Sequence, residues 1–231
     1  MCGRFTLRKA PEEIAEHFGV DDVPEFAPRF NIAPGQDVAT VFVPEAEQDS
    51  SLALRRWGLI PSWAKDEKIG NRQINARVET VSEKPAFRAA FRKRRCLVPS
   101  DGFYEWSGAA SPKQPFHIEL EGGEVFGFAG LWERWRNPAG EVIESCTLLT
   151  TEANSTLGDL HKRMPVIVDP VNYALWLDPD VSDPALLKPA VEGALADALR
   201  FYPVSLRVND TRRDDPQCLD VADIQTTLFE G

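Results

Sequence analysis

Phe116-His117-Ile118-Glu119-Leu120-Glu121-Gly122-Gly123-Glu124-Val125-Phe126-Gly127-Phe128-Ala129-Gly130-Leu131-Trp132 is the stretch whose reading decides the fold. Its two apolar, aromatic-rich runs, Phe116 to Glu121 and Val125 to Trp132, are separated by Gly122-Gly123. A third run, Val142 to Thr150, follows the turn-forming Asn137-Pro138-Ala139-Gly140. Runs of this length, punctuated by Gly, Pro and Asn, read as strands joined as hairpins. His117 alternates with apolar neighbours and reads as a hydrogen-bonded strand histidine.

Outward from this stretch the same pattern recurs. Cys96 to Pro99 and Gly102 to Trp106 read as short strands broken by Ser100-Asp101-Gly102. Asp37 to Val43 and Leu52 to Trp57 form a pair around the polar insert Pro44 to Ser51. Cys2 to Leu7 alternates like a strand, and Asn31 to Gly35 reads as a turn-rich loop. Pro11 to Gly19 is a short helix, with proline in its first turn, acids at its positive end and glycine at its stop. Ser82 to Arg95 places Phe87, Ala90 and Phe91 at helical spacing, which leaves Arg88, Arg92 and Arg95 on another face. Asp169-Pro170 and Asp183-Pro184 are N-cap and first-turn pairs. They open helices over Val171 to Leu177 and Ala185 to Leu199, the second interrupted near its start by Pro189. Tyr202 to Arg207 adds a last strand, and Arg212 to Gly231 a loosely structured tail. With no repeat or linker, the chain reads as one α+β domain, residues 1–231, around a mainly antiparallel, partly barrel-like sheet with peripheral helices.

The 231 residues are 43% hydrophobic and 27% charged, an ordinary globular composition. No early segment resembles a signal peptide and no apolar run is long enough to span a bilayer, so a cytoplasmic location without membrane contact is expected. Cys2, Cys96, Cys146 and Cys218 lack metal-ligand spacing, so neither a metal site nor a disulfide scaffold is expected. The net charge of −10 disfavours bulk attraction to nucleic acid. Locally the balance reverses: Lys84, Arg88, Arg92, Lys93, Arg94 and Arg95 follow one another with no acid among them. That run fits either a phosphate-binding face or a solvated helix.

Chemistry concentrates at the start. After removal of Met1, which the small Cys2 side chain permits, Cys2 carries an α-amine and a thiol on one two-carbon unit. Both are partly nucleophilic near neutral pH, and an aldehyde forms a Schiff base with the amine that the thiol then closes to a thiazolidine. An ordinary core cysteine fits the same position, which alone does not separate the two readings. Glu105 stands between Tyr104 and Trp106; apolar surroundings raise a carboxyl pKa and suit it to carrying protons, whereas a water-facing strand residue fits equally. In Asn75-Ala76-Arg77-Val78-Glu79-Thr80, the residues Asn75, Arg77 and Glu79 share a face if the segment is extended. Trp57 and Trp63 bracket a proline turn and suit either core packing or stacking on an unpaired base.

Six pieces in register carry a resemblance: Met1-Cys2-Gly3-Arg4-Phe5, Asn31-Ile32-Ala33-Pro34-Gly35, Trp57-Gly58-Leu59-Ile60-Pro61, Asn75 to Thr80, Gly102-Phe103-Tyr104-Glu105-Trp106 and His161-Lys162-Arg163-Met164-Pro165. Together, from Cys2 to about Val208, they resemble the SRAP (SOS-response-associated peptidase) family. The resemblance implies a DNA-damage-response enzyme that binds single-stranded DNA containing abasic sites and cross-links to it through Cys2, with lyase activity and autoproteolytic removal of Met1. It implies catalytic roles for Cys2, Asn75, Glu105 and His161, and DNA contacts by Arg4, Pro34, Trp63, Arg77, Thr150 and Arg163. It calls for no cofactor or metal. A monomer is expected, cytoplasmic and nucleoid-associated when on damaged DNA. Lys162 stands where an acidic residue is expected in many members. The rival classes are an N-terminal-nucleophile amidohydrolase, which shares the Met-Cys-Gly start, a peptidase using Cys2, and a non-enzymatic single-strand-binding module.

Overall fold

Strands make up most of the regular secondary structure in the computed structural model, which describes residues 2–21, 23–44, 48–107, 112–192 and 198–223. In chain order they are β1 (Phe5–Leu7), β2 (Arg29–Ile32), β3 (Asp37–Phe42), β4 (Ser51–Trp57), β5 (Asn75–Arg77), β6 (Arg95–Ser100) and β7 (Gly102–Ser107). There follow β8 (Gln114–Leu120), β9 (Phe126–Arg136), β10 (Val142–Glu152), β11 (Arg163–Pro165), β12 (Ile167–Val168) and β13 (Leu199–Pro203). The helices are α1 (Pro11–Phe18), α2 (Arg88–Lys93), α3 (Tyr173–Leu177) and α4 (Pro184–Val191).

One sheet runs β13-β8-β7-β1-β2. In the second, β10, β4, β3, β6 and β9 pair in turn, and β9 pairs back to β10, closing a barrel. Every pairing in that ring is antiparallel except β4 with β10. Closure removes the exposed edges that an open sheet would present. The long β10 also carries β5 in parallel and β11 antiparallel beyond the ring. The α+β architecture, mainly antiparallel and partly barrel-like, is therefore the one expected from the strand pattern.

Aromatic side chains join the sheets. Phe5 of β1 meets Trp57 of β4 and Phe128 of β9 with ring centroids 5.2 and 5.9 Å apart, and Phe103 and Phe126 also pack on Phe128. Along β9, Phe128 is flanked by the small residues Gly127, Ala129 and Gly130, which let β6 and the Val166 backbone approach the strand closely. A β-carbon on Gly130 would lie 2.9 Å from the Cys96 sulfur.

Several local expectations are corrected. Gly122-Gly123 does not make a hairpin: β8 and β9 lie in different sheets, and the turn, with Gly123 at φ 70°, carries the chain between them. Asn31 and Ile32 belong to β2 instead of a loop, because Asp214 accepts the Phe30 and Asn31 amides at 2.5 and 2.9 Å and holds that backbone extended. The turn begins only at Ala33, with Gly35 at φ 86°. The expected helix over Ser82 to Arg95 shortens to α2, since turns occupy the residues around Pro85 and Arg95 opens β6. Leu199 starts β13 and is not helical, Leu206–Asn209 is a 3-10 turn, and residues 193–197 lie outside the described residues. The expected loose tail is docked as far as Ala222: Asp214 grips β2, Cys218 is buried, and Val221 bridges Val204. Residues 224–231 of that tail lie outside the described residues.

Candidate active site

Cys2 lies just before β1, fully buried, with its thiol 3.6 Å from the Arg4 carbonyl. Burial pushes the thiol pKa well up, and the negative charge of Glu105 adds to the rise, which places the carboxyl in electrostatic reach of the sulfur. Asn75 approaches from the barrel side. β5 is held on β10 by the register Leu148 to Asn75 and Thr150 to Arg77, and this aims the Asn75 Nδ2 at the Cys2 carbonyl, to which it donates at 2.7 Å. Asn75 Oδ1 is buried with no hydrogen-bond partner among the described residues, an acceptor available to an incoming donor.

Glu105 sits on β7, paired to Phe116 of β8. Its neighbour Tyr104 donates its amide to the Arg4 carbonyl at 3.0 Å and turns its own side chain to the opposite face, into a cluster with Val204, Val208 and Cys218. Strand alternation thus separates Tyr104 from Glu105 and points the carboxyl toward the Cys2 side. Glu105 is buried, and desolvation raises its pKa although the positive charge of His161 pulls the other way. The water-facing alternative for this residue is excluded by its burial.

His161 closes the turn that follows β10, its amide bonded to the Leu157 carbonyl at 3.0 Å. Its Nδ1 lies 3.0 Å from both the amide and the carbonyl of Arg163. A neutral Nδ1 accepts from that amide and a protonated one donates to that carbonyl, so one residue satisfies both states of the ring. Asn75 thus touches the Cys2 backbone, Glu105 lies within electrostatic reach of the Cys2 thiol, and His161 within electrostatic reach of Glu105.

The residues expected to contact DNA fall into two groups. Arg77, Pro34 and Trp63 are exposed, Trp63 by 58%, and its indole N–H donates to the Pro85 carbonyl at 3.3 Å. Arg4, Thr150 and Arg163 are engaged internally. Arg4 Nη1 donates to Asn31 Oδ1 at 2.8 Å and to the Val208 carbonyl at 2.6 Å, with the guanidinium 5.9 Å from the Trp106 ring. Thr150 is fully buried and supports Arg163, whose Nη2 donates to the Thr150 carbonyl at 2.5 Å. The rest of the Arg163 fork grips Glu79, with Nη1 to Oε1 at 2.6 Å and Nη2 to Oε2 at 3.0 Å. The sequence places Glu79 on one face with Asn75 and Arg77 and gives no sign of its pairing with Arg163. β5 ends at Arg77 and the chain turns there, so Glu79 does not continue the Asn75 and Arg77 face.

Arg95 was grouped with the exposed basic run and is buried instead. It donates to the carbonyls of Phe91, Arg92 and Trp176 at 2.7, 2.9 and 2.6 Å, closing the ends of α2 and α3. Among the described residues no cluster of His, Cys, Asp and Glu is placed to hold a metal ion, and no helix is long and apolar enough to cross a membrane.

A closed barrel flanked by a second sheet, with a buried cysteine in electrostatic reach of a buried carboxyl, defines a cysteine-centred α+β class. The family model for SOS response associated peptidase (SRAP) matches residues 1–211, and the chain belongs to that family. The abasic site processing protein YoqW of Bacillus subtilis (strain 168) is 42% identical over 224 residues, covering 95% of this chain and 99% of its own. The abasic site processing protein HMCES of Xenopus tropicalis is 30% identical over 267 residues, covering 95% of this chain and 78% of its own. A solved structure from Bacteroides thetaiotaomicron shares the fold, with a TM-score of 0.82 at 24% identity over 96% of this chain and 100% of that one. A phage-related protein from Bordetella bronchiseptica gives 0.71 at 29% identity, covering 89% and 95%.

Proposed function

We propose that this protein processes abasic sites in single-stranded DNA by bonding covalently to them through Cys2. What supports the reading is Asn75 donating to the Cys2 carbonyl at 2.7 Å, with Glu105 in electrostatic reach of the Cys2 thiol and His161 in electrostatic reach of Glu105. The names of the relatives supply the substrate class.

The chemistry runs in four steps. Hydrolysis of the Met1–Cys2 peptide bond consumes a water, releases methionine and frees the Cys2 amine. Ring opening of the abasic sugar exposes its aldehyde, with His161 relaying the proton between the ring oxygen and the C1′ hydroxyl. The amine adds to the aldehyde carbon and water leaves, forming an imine. Glu105, kept protonated to higher pH than an ordinary carboxyl, gives the proton that the departing hydroxyl needs. The thiol then adds across the C=N bond, sulfur to carbon and proton to nitrogen, closing the thiazolidine. Asn75 fixes the Cys2 backbone throughout, so amine and thiol meet one carbon without a search.

Without ring closure, the imine is open to β-elimination and strand cleavage. Cys2→Ser is therefore expected to nick abasic strands while losing the durable adduct. Wild-type protein incubated with single-stranded abasic DNA is expected to give a heat-stable, slower-migrating band on a denaturing gel. Absence of that band would refute the proposal.

A further inference from the structure

We propose that the exposed face of α2, with the residues leading into it, is a second nucleic-acid contact that takes the phosphodiester backbone of the strand flanking the abasic nucleotide. The inference rests on the proposed function for the strand it serves and on independent observations for the surface. In this acidic chain most arginines hold a carboxylate, as Arg8, Arg29, Arg55, Arg56, Arg134 and Arg200 do. No lysine or arginine from Lys65 to Lys93 does so among the described residues, and all of them are exposed. The acids interspersed there are occupied: Glu67 by Arg56, Glu79 by Arg163 and Asp66 by the Lys68 amide. Only exposed Glu83 opposes the group.

The structure also sorts the basic run. Arg94 pairs with Glu133 at 2.7 Å and Arg95 caps helix carbonyls, so both serve the fold. Lys84, Arg88, Arg92 and Lys93 remain, facing solvent, while Phe87, Ala90 and Phe91 are buried beneath them and fix the helix on the barrel. Arg88 and Arg92 lie one turn apart on one face, their β-carbons about 5–6 Å from each other, close enough to contact neighbouring phosphates of one strand. Trp63 joins this face through its bond to the Pro85 carbonyl, beside Lys84. An exposed indole flanked by unpaired cations is the combination that stacks a base and holds its phosphates. An acidic polypeptide would leave the indole without a role.

The test uses full-length protein carrying Cys2→Ala, so that no covalent capture intervenes. It compares this protein with a version in which Lys84, Arg88, Arg92 and Lys93 are changed to glutamine, titrating a fluorescent, intact single-stranded oligonucleotide at several salt concentrations. Two to four lost phosphate contacts lower the log-log salt slope by about 1.4–2.8 and, by counterion release, weaken binding roughly 25- to 600-fold at ~0.1 M salt. The melting temperature is expected to be unchanged, and Arg92→Gln with Lys93→Gln gives a smaller loss in the same direction if the fourfold variant folds poorly. An unchanged slope overturns the proposal, as does equally effective competition by polyglutamate of matched charge. An abasic adduct in the wild type with an unchanged slope removes the α2 face and leaves the proposed function. No adduct, with the slope reduced, removes the function and leaves the face; no adduct together with no salt-dependent binding by either protein removes both.

Discussion

Replacing Glu79 with glutamine is expected to tighten binding of single-stranded DNA. In the free protein both Glu79 oxygens occupy the Arg163 fork, at 2.6 and 3.0 Å, so the carboxylate stands where a phosphate would bind. A phosphate arriving at Arg163 must displace that carboxylate or sit beside it. Taking the two anions as about 6 Å apart at an effective dielectric of about 40, Coulomb's law gives roughly 1.4 kcal/mol of repulsion, or about tenfold in affinity. Glu79 is 45% exposed against 13% for Arg163, and screening at ~0.15 M salt lowers the expected gain to about three- to tenfold. Losing a pair of this exposure costs only about 0.2–1 kcal/mol of stability, too little to unfold the protein. Fluorescence anisotropy with an intact single-stranded oligonucleotide reads the effect directly. A Glu79→Gln protein that binds more weakly than the wild type would refute the reasoning, because Glu79 would then be orienting Arg163 for the strand instead of competing with it.

Asn75→Ala removes the donor to the Cys2 carbonyl and is expected to slow adduct formation by about tenfold or more, with strand affinity little changed; equal rates by quenched gel assay would count against a positioning role. Glu105→Gln is expected to abolish rapid adduct formation yet stabilise the fold above neutral pH. The sign follows from the raised pKa: the folded chain keeps a proton that the unfolded chain releases above about 4.5, so wild-type stability falls as pH rises from there, while the amide is indifferent. Denaturant midpoints at pH 4 and pH 8 check this, and a variant less stable than wild type at pH 8 would contradict it. His117 gives the opposite slope. Burial, with Arg8 and Arg200 nearby, pushes it down to about 3, so the unfolded chain takes up the proton first and stability drains away as pH falls below about 6.5; His117→Gln should flatten that acid limb. Phe128→Ala empties the meeting point of Phe5, Phe103 and Phe126 and should cost about 3–5 kcal/mol in chemical denaturation.

Local pattern carried the local structure. The hairpin of β3 with β4 and that of β9 with β10 were legible because alternation and turn residues act over a few neighbours. The sheet to which each strand belongs was not. Gly122-Gly123 has the composition of a hairpin turn, and only the packing of β9 inside a closed ring sends it away from β8. The parallel contact of β4 with β10 joins Arg56 to Ser145, a pairing that no local signal announces. Arg95 looked like its exposed neighbours because helix carbonyls, the partners that bury it, are invisible in a list of side chains.

The candidate site was legible in a different way. Residue chemistry alone left Cys2 and Glu105 open between core and catalysis, and gave His161 no claim at all. Family-ordered motifs selected them; Asn75 of β5 reaches the segment before β1 that carries Cys2, and Glu105 of β7 lies in electrostatic reach of both Cys2 and His161. The Glu79–Arg163 pair escaped notice because it depends on the chain turning after Arg77.

Intact-mass spectrometry of the protein before and after mixing with a single-stranded abasic oligonucleotide tests the central claim most directly. The account predicts a protein lacking Met1 that gains the mass of the oligonucleotide less one water, with the gain lost in Cys2→Ala. A protein that retains Met1 and still forms the adduct, or one that frees Cys2 and forms none, would contradict it.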